Sequence, residues 1–340
     1  MTRLRRALVP VGAAGAGLII LGFGLALLGY DAGAALGALW RGAFGSWYAI
    51  SSATMVRAVP LMVIGLGLAI SFRAGALNIG AEGQFAVGAM AATAVGLATG
   101  SWPAPIGLVA TLGAGVIGGA AWILVPVALR FRFGVLEVIS TLLLNFVAEA
   151  LVSYAVQGPL QEAKGIYPQS DQIGSSVRLV LVPGTRLHVG LFVALALAVV
   201  LGVLFRRSRW GFRLKAVGEA PKAAAVAGGI GVERTVAVAL LCSGALAGLA
   251  GAFEVTGVTY ALYQNLSPGY GFTAIAVALI ARTDPLGVIV AGLAFGALEA
   301  GAAGMQRDAG VPAVAVSIVQ AVIIVVALLS ARRSSGEVSQ

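Results

Sequence analysis

Five polar residues recur at four-residue intervals inside one apolar run: Glu137, Thr141, Asn145, Glu149 and Ser153 in "GVLEVISTLLLNFVAEALVSYAVQGP". On a helix that spacing stacks them in one slowly winding row along a single face. Two carboxylates, an amide and two hydroxyls so arranged can pass a polar solute along a wet path, or bond to a neighbouring helix inside a bundle. A charge at the centre of a membrane helix costs on the order of 2.5–3.5 kcal/mol, so this row must turn away from lipid. Glu137 is its weakest member, because near the end of the run it can simply complement the helix dipole. Glu254 and Glu299 are further acids at or near membrane depth, candidates for the same path or for neutralisation near a helix end. Catalytic chemistry is thinly represented. One histidine, His188, and one cysteine, Cys242, leave no Cys/His zinc cluster, no internal disulfide and no recognisable nucleophile and base. No Gly-Lys-Ser/Thr occurs, so the chain carries no P-loop of its own.

A second polar group lies in "SFRAGALNIGAEGQF", residues 71–85. Here Arg73 closes one apolar run, Gly75 allows a turn, and Asn78 can cap the next helix, with Glu82 one turn in where the positive helix end favours an acid. Asn78, Glu82, Gln84, Thr141, Asn145, Glu149 and Glu254 are therefore the candidates for a pathway or gate, beside the plainer reading of a solvated turn with ordinary caps. An echo appears at 277–297, "VALIARTDPLGVIVAGLAFGA", where Asp284 before Pro285 signals a helix start. Two related halves are an expected signature of transporters. The Gly-rich "GAGVIG" at 113–118 lies inside an apolar run, as do the glycines of Gly244-x-x-x-Gly248 and Gly292-x-x-x-Gly296, and all read as close helix packing.

The elements that must position these residues follow from composition. The chain has 340 residues, 59% hydrophobic and only 10% charged, against about 25% charged in a soluble domain, and so reads as an all-α polytopic membrane protein. Apolar runs of about 17–25 residues place spans near 7–29, 56–72, 77–99, 104–128, 135–157, 187–205, 236–257, 270–281, 285–306 and 311–330, ten helices of which the eighth is short. The run after Arg3, Arg5 and Arg6 is longer than a signal-peptide core and reads as an uncleaved first helix. With the N-terminus inside, sixteen Lys and Arg fall on the cytoplasmic side and six outside, so both termini are expected in the cytoplasm. The net charge of +9 then reflects topology, and nucleic acid is not an expected partner. The chain reads as a single membrane domain over 1–340, with external segments at 30–55 and 158–186 and a cytoplasmic tail at 331–340. Trp40, Trp47 and Tyr48 suit the first external segment to a membrane interface. The segment 206–235 is the richest cytoplasmic loop. In it Pro221 opens a helix of about two turns, about 11 Å, that Gly228 and Gly229 close, suited to docking into another protein or to anchoring on anionic lipid.

The segments "FRAGALNIGAEGQF", "EVISTLLLNF", "GFRLKAVGEAPKAAAVAGGI", "SGALAGLAGAFEVTG" and "GYGFTAIAVALIARTDPLGVIVAGLAFGALEAG" together resemble the permease subunits of bacterial ABC importers for simple sugars, nucleosides and branched-chain amino acids. The likeness runs from about Ala58 to Ser330, and "NIGAEGQ" with "GYGF" is most similar to the nucleoside-type permeases. It implies a multi-pass protein of the bacterial plasma (inner) membrane that binds no cofactor, with ATP used by a separate ATP-binding ABC subunit. It further implies a second, related permease, as a heterodimer in preference to a homodimer, and an external substrate-binding lipoprotein. The coupling segment then covers Trp210 to Ile230, with Arg213, Lys215, Gly218, Glu219, Pro221 and Lys222 as contacts to the ATPase. Two departures from the family pattern stand out. Lys215 replaces an arginine, and Ala220 replaces an asparagine able to cap the following helix, leaving Glu219 or a backbone group as substitute. "ARTDP" replaces a more usual Gly-x-x-Asn-Pro-like turn, and Asp284 can cap as asparagine does. The expected function is half of a translocation pore for a nucleoside or related solute, with a simple sugar or branched-chain amino acid as alternatives. An ion-coupled secondary transporter, with the membrane acids as ion sites, is the reading from another class, and a membrane-embedded enzyme the third.

Overall fold

The computed structural model describes residues 19–312 and residue 314. Its regular elements are helical, and among the described residues β-pairing is confined to two isolated bridges, Gln169 with Tyr263 and Leu181 with His188. Helix is also seen over 19–27. The named helices are α1 (Ala32–Phe44), α2 (Met55–Arg73), α3 (Ala81–Ala98), α4 (Ala104–Phe133), α5 (Glu137–Gln157), α6 (Gly190–Arg207), α7 (Arg209–Glu219), α8 (Pro221–Gly228), α9 (Val232–Glu254), α10 (Tyr270–Ile280) and α11 (Pro285–Ala309). π-helical turns precede α2 at Ala49–Thr54 and follow α9 at Val255–Thr259.

Among the described residues, six helices are long and apolar enough to cross a membrane: α2 and α9 with their π turns, α4, α5, α6 and α11. The other expected spans fare differently. That at 311–330 lies outside the described residues apart from its first two positions and residue 314, and that at 7–29 is described only from residue 19. The span at 77–99 is realised as α3, its first turn diluted by Glu82 and Gln84. The eighth is α10, 11 residues long. At 1.5 Å per residue it reaches about 16 Å, half of a 30 Å hydrocarbon layer, so it does not cross on its own.

The chain divides into two compact units. One, from residues before Val59 and after Gly292, holds α1, which Asp31 caps by accepting from Ala34 N–H at 2.9 Å. Trp40, Trp47 and Tyr48 are all exposed there, as an interfacial segment requires. Gly42 and Gly304 let the backbones of α1 and α11 meet within this unit.

The second unit, Val59–Gly292, contains the candidate pathway. Its centre is the trio α3, α4 and α9, which touch along glycines: a Cβ on Gly88 would collide with the backbone of Gly248, and one on Gly119 with Gly244 and Gly248. With no hydrophobic drive between helices in lipid, such backbone-to-backbone approach supplies the dispersion contact that holds them. Two apolar clusters mark the ends of the trio. Ile123, Val127, Val217, Ala224, Val236 and Leu240 close one end against α7 and α8, and Ala89, Val152, Ile173, Val177, Val255 and Leu262 close the other against the 158–186 loop. Val236 and Val255 are 19 residues apart on α9 and its π extension, about 28 Å, so the two loops lie at opposite ends of the trio.

Candidate functional site

Between α2 and α3 the backbone leaves helix, turns through Gly75 (φ 76°), and runs without regular structure over 76–79. α3 begins only at Ala81, beside Asn145, eight residues into α5, and close behind Asn78, which bonds Ser243, eleven residues into α9. That is about 12–16 Å inside the bundle. The expected helix-turn-helix is thus corrected: the turn sits at the end of α2, but Asn78 does not cap α3, whose N-cap is Gly80. Non-helical backbone at this depth persists only where protein satisfies it. Thr141 Oγ1 accepts from Ile79 N–H at 3.3 Å, Asn145 Nδ2 donates to Ile79 C=O at 3.0 Å, and Asn145 Oδ1 accepts from Gly83 N–H at 2.8 Å. Asn78 Oδ1 accepts from Gly80 N–H, and its amide pairs reciprocally with that of Gln84 at 2.8 and 3.0 Å while donating to Ser243 Oγ at 2.9 Å. Asn78, Gln84, Thr141 and Asn145 therefore spend their polar atoms on holding a broken helix in place.

Glu82 does something else. Its carboxylate accepts from Gly271 N–H at 2.6 Å and bonds the hydroxyl of Ser267, which also accepts from Gly269 and Tyr270 N–H. An acid from the first turn of α3 thus caps the first turn of α10, where the free N–H groups and helix dipole favour negative charge. A Cβ on Gly271 would collide with Glu82 itself, so glycine is needed for the two helix starts to meet. Phe85 and Tyr270 pack edge to face beside this contact, 5.9 Å between centroids.

Beside the paired helix starts lies a cavity of about 230 Å³. Glu82 and Glu149 border it with Asn145, Asn265 and Ser267, and Phe85, Phe146 and Phe272 supply aromatic walls. Glu149 is exposed, near enough to Glu82 for their charges to interact, and makes no ion pair among the described residues. It lies twelve residues into the 21-residue α5, about 18 Å along it. The rest of the row serves other ends. Glu137 pairs with Arg130 at 2.7 Å across the α4–α5 turn, and Ser153 Oγ accepts from Gln157 and Gln264. Glu254 is buried at the end of α9 and is not part of this cavity wall, while Glu299 belongs to the other compact unit. Sequence reasoning missed Asn265, Ser267 and Phe272. "GYGF" had marked the neighbourhood, but nothing local says that its second glycine meets a residue 189 positions earlier.

The coupling candidates sit on α7 and α8. Ser208 caps α7 by accepting from Gly211 N–H at 3.0 Å, and Leu214 and Val217 bury its inner face. Arg213, Lys215, Glu219, Pro221 and Lys222 are exposed, with Lys215 and Glu219 3.8 Å apart as an i,i+4 pair. α8 starts at Pro221 and ends at Gly229 in the left-handed region, as its sequence implies, but its N-cap is Ala220 with no side-chain bond. Gly218 abuts the turn after α2: a Cβ there would collide with Arg73 C=O and come within 3.1 Å of Gly75 N. The α7–α8 segment thus touches the start of the same stretch that leads to Asn78 and α3.

Known proteins share this pattern over most of its length. A family model described as branched-chain amino acid transport system, permease component, matches residues 50–328. A guanosine ABC transporter permease of Bacillus subtilis is 37% identical over 95% of this chain and 93% of its own length. A glucose ABC transporter permease of Haloferax volcanii is 36% identical over 93% of this chain and 85% of its own. A nucleoside ABC transporter permease of Lactococcus lactis is 30% identical over 95% of this chain and 90% of its own. Bacillus subtilis and Lactococcus lactis each hold a second, more distant relative with the same solute in its name, at 27% and 25% identity.

Proposed function

The chain belongs to the branched-chain amino acid transport system permease component family, and from that premise we propose that it forms half of the translocation pore of an ATP-driven importer for a nucleoside. The observation that carries this reading is the exposed carboxylate of Glu149 in an aromatic-walled cavity. Facing lipid at mid-helix it would cost on the order of 2.5–3.5 kcal/mol, so the face that bears it belongs on a wet path closed by a second permease. A nucleoside offers a flat ring for Phe146 and Phe272 and hydroxyl or amine donors for Glu149, and two nucleoside-named relatives favour it. The glucose-named relative supports a sugar as the second reading. The paired relatives in two organisms support a heterodimer of related permeases.

In this reading the chain spans the bacterial inner membrane about ten times with both termini in the cytoplasm, and its segment 158–186 receives solute from a binding lipoprotein. ATP is bound and hydrolysed by a separate subunit that grips Arg213, Lys215, Glu219, Pro221 and Lys222. Movement of α7 passes through the contact of Gly218 with the Arg73–Gly75 turn to the segment held by Asn78, Thr141 and Asn145, and from the start of α3 through Glu82 to α10. The two broken-helix starts then shift together around the cavity.

Uptake of labelled guanosine and glucose into proteoliposomes, with the chain reconstituted beside its partner subunits, tests the assignment. Guanosine is expected to enter with ATP and to be displaced by other nucleosides but not by glucose. Glucose uptake alone would establish the sugar reading, and uptake that needs a proton gradient instead of ATP would establish the secondary transporter.

A further inference from the structure

A second cavity, of about 360 Å³, lies on the outer face of the bundle, where the last ten residues of α6 meet the first turn of α11. Its walls are apolar: Ala198, Val199, Gly202 and Val203 on one side, Pro285 and Leu286 on the other. Val199, Val203 and Leu286 are each more than half exposed, at 59%, 52% and 55%, and a Cβ on Gly202 would meet nothing within 4 Å. Among the described residues, no side chain fills the space. At one end sit Arg206 and Arg207. Asp284 holds Arg206 at 3.3 Å while its other oxygen caps Gly287 N–H, and Arg207 has no ion-pair partner among the described residues. Two cations therefore face one carboxylate, and the mouth of the cavity keeps a positive charge.

We propose that this groove is a binding site for one anionic phospholipid, its acyl chain along Gly202 and Val199 and its phosphate against Arg207. Length fits the assignment. From Ala198 to Arg207 the helix rises about 14 Å, the depth of one leaflet of a 30 Å hydrocarbon layer, so apolar walls and basic mouth match tail and headgroup in register. Charge selects the class of headgroup, because basic pockets between helices on the cytoplasmic side suit acidic lipids. The seat matters for the molecule, since Phe205, next to Arg206, carries the Arg73 guanidinium over its ring at 4.5 Å and so ties the groove's helix to the end of α2.

The test uses the complete transporter purified from membranes containing phosphatidylglycerol and phosphatidylcholine, with retained lipid counted by native mass spectrometry. Phosphatidylglycerol is expected in excess. Arg207→Gln should cut that excess about fivefold, and Arg207→Lys should keep most of it. Gly202→Leu, which fills the groove without touching a charge, should lower retention of both lipids. Equal retention of the two lipids by the wild type overturns the site, as does retention unchanged in both Arg207→Gln and Gly202→Leu. A groove that retains no lipid in the complete transporter overturns it too, because the face is then covered by another subunit.

Discussion

Asn145 and Glu149 stand one helical turn apart in the same row and do different work. The four-residue spacing made the row legible in the sequence, because period alone puts these side chains on one face. It could not say that Thr141 and Asn145 face backbone: their partners, Ile79 and Gly83, are more than 60 residues away and look like ordinary helix until the break before Ala81 is known. The division predicts a contrast between two substitutions. Asn145→Leu strips Gly83 N–H and Ile79 C=O of their partners in a buried setting, at a cost of about 1–3 kcal/mol for each group left unmet. The purified protein should lose thermal stability, and uptake should fall with it. Glu149→Leu removes a charge with no ion-pair partner among the described residues, so the melting temperature should hold or rise while solute uptake drops at least tenfold. Thermal unfolding and uptake measured side by side decide the matter. If both variants change stability equally, Glu149 is a structural group like its neighbour.

At the scale of elements, helix ends were most legible where one residue type settles them. Asp284 with Pro285 starts α11 and Gly229 ends α8, since a side-chain cap, a fixed proline φ and a left-handed glycine are local devices. The start of α3 was not legible, because Asn78 looks like a cap and is in fact bonded to Gln84 and Ser243. α8 offers a direct prediction. With Ala220 at its N-cap (φ −149°, ψ 74°) and no side-chain bond there, Ala220→Asn should supply the missing acceptor and stabilise this helix by about 0.5–2 kcal/mol, read as slower amide exchange over 222–226. The 158–186 loop carries a different dependence. The side-chain amide of Gln169 and the N–H of Tyr167 hold the Glu162 carboxylate below the usual carboxylate range. A lowered folded value means that these bonds contribute fully above the unfolded value of about 4.3 and are lost as pH falls through the folded one. Exchange of residues 162–171, corrected for its intrinsic pH dependence, should stay constant from pH 7 to about 5 and quicken below about 4. Glu162→Gln should remove that step.

For the whole molecule, composition alone made the membrane class plain, because 59% hydrophobic residues with 10% charged leave no other solvent for most helices. What composition could not reveal is that two helices, α3 and α10, start inside the bundle and meet through Glu82 and Gly271, since hydropathy registers length and not depth. That meeting gives the α7–α8 segment a continuous line of contacts to the cavity: Gly218 against Gly75, the segment 76–80, α3, then α10. The route is physically continuous, but continuity becomes coupling only if disturbing it separates the two ends. Gly218→Val places a branched side chain against Arg73 C=O and must lift α7 from the turn, while the exposed face with Arg213, Lys215 and Lys222 is untouched. In the reconstituted importer the ATPase should therefore still co-purify and still hydrolyse ATP, yet solute carried per ATP should fall at least tenfold. Loss of the ATPase from the complex would mean that Gly218 merely shapes the docking surface. An unchanged ratio of transport to hydrolysis would show that the stroke reaches α3 by another road, through α9 and the glycine contacts of the central trio.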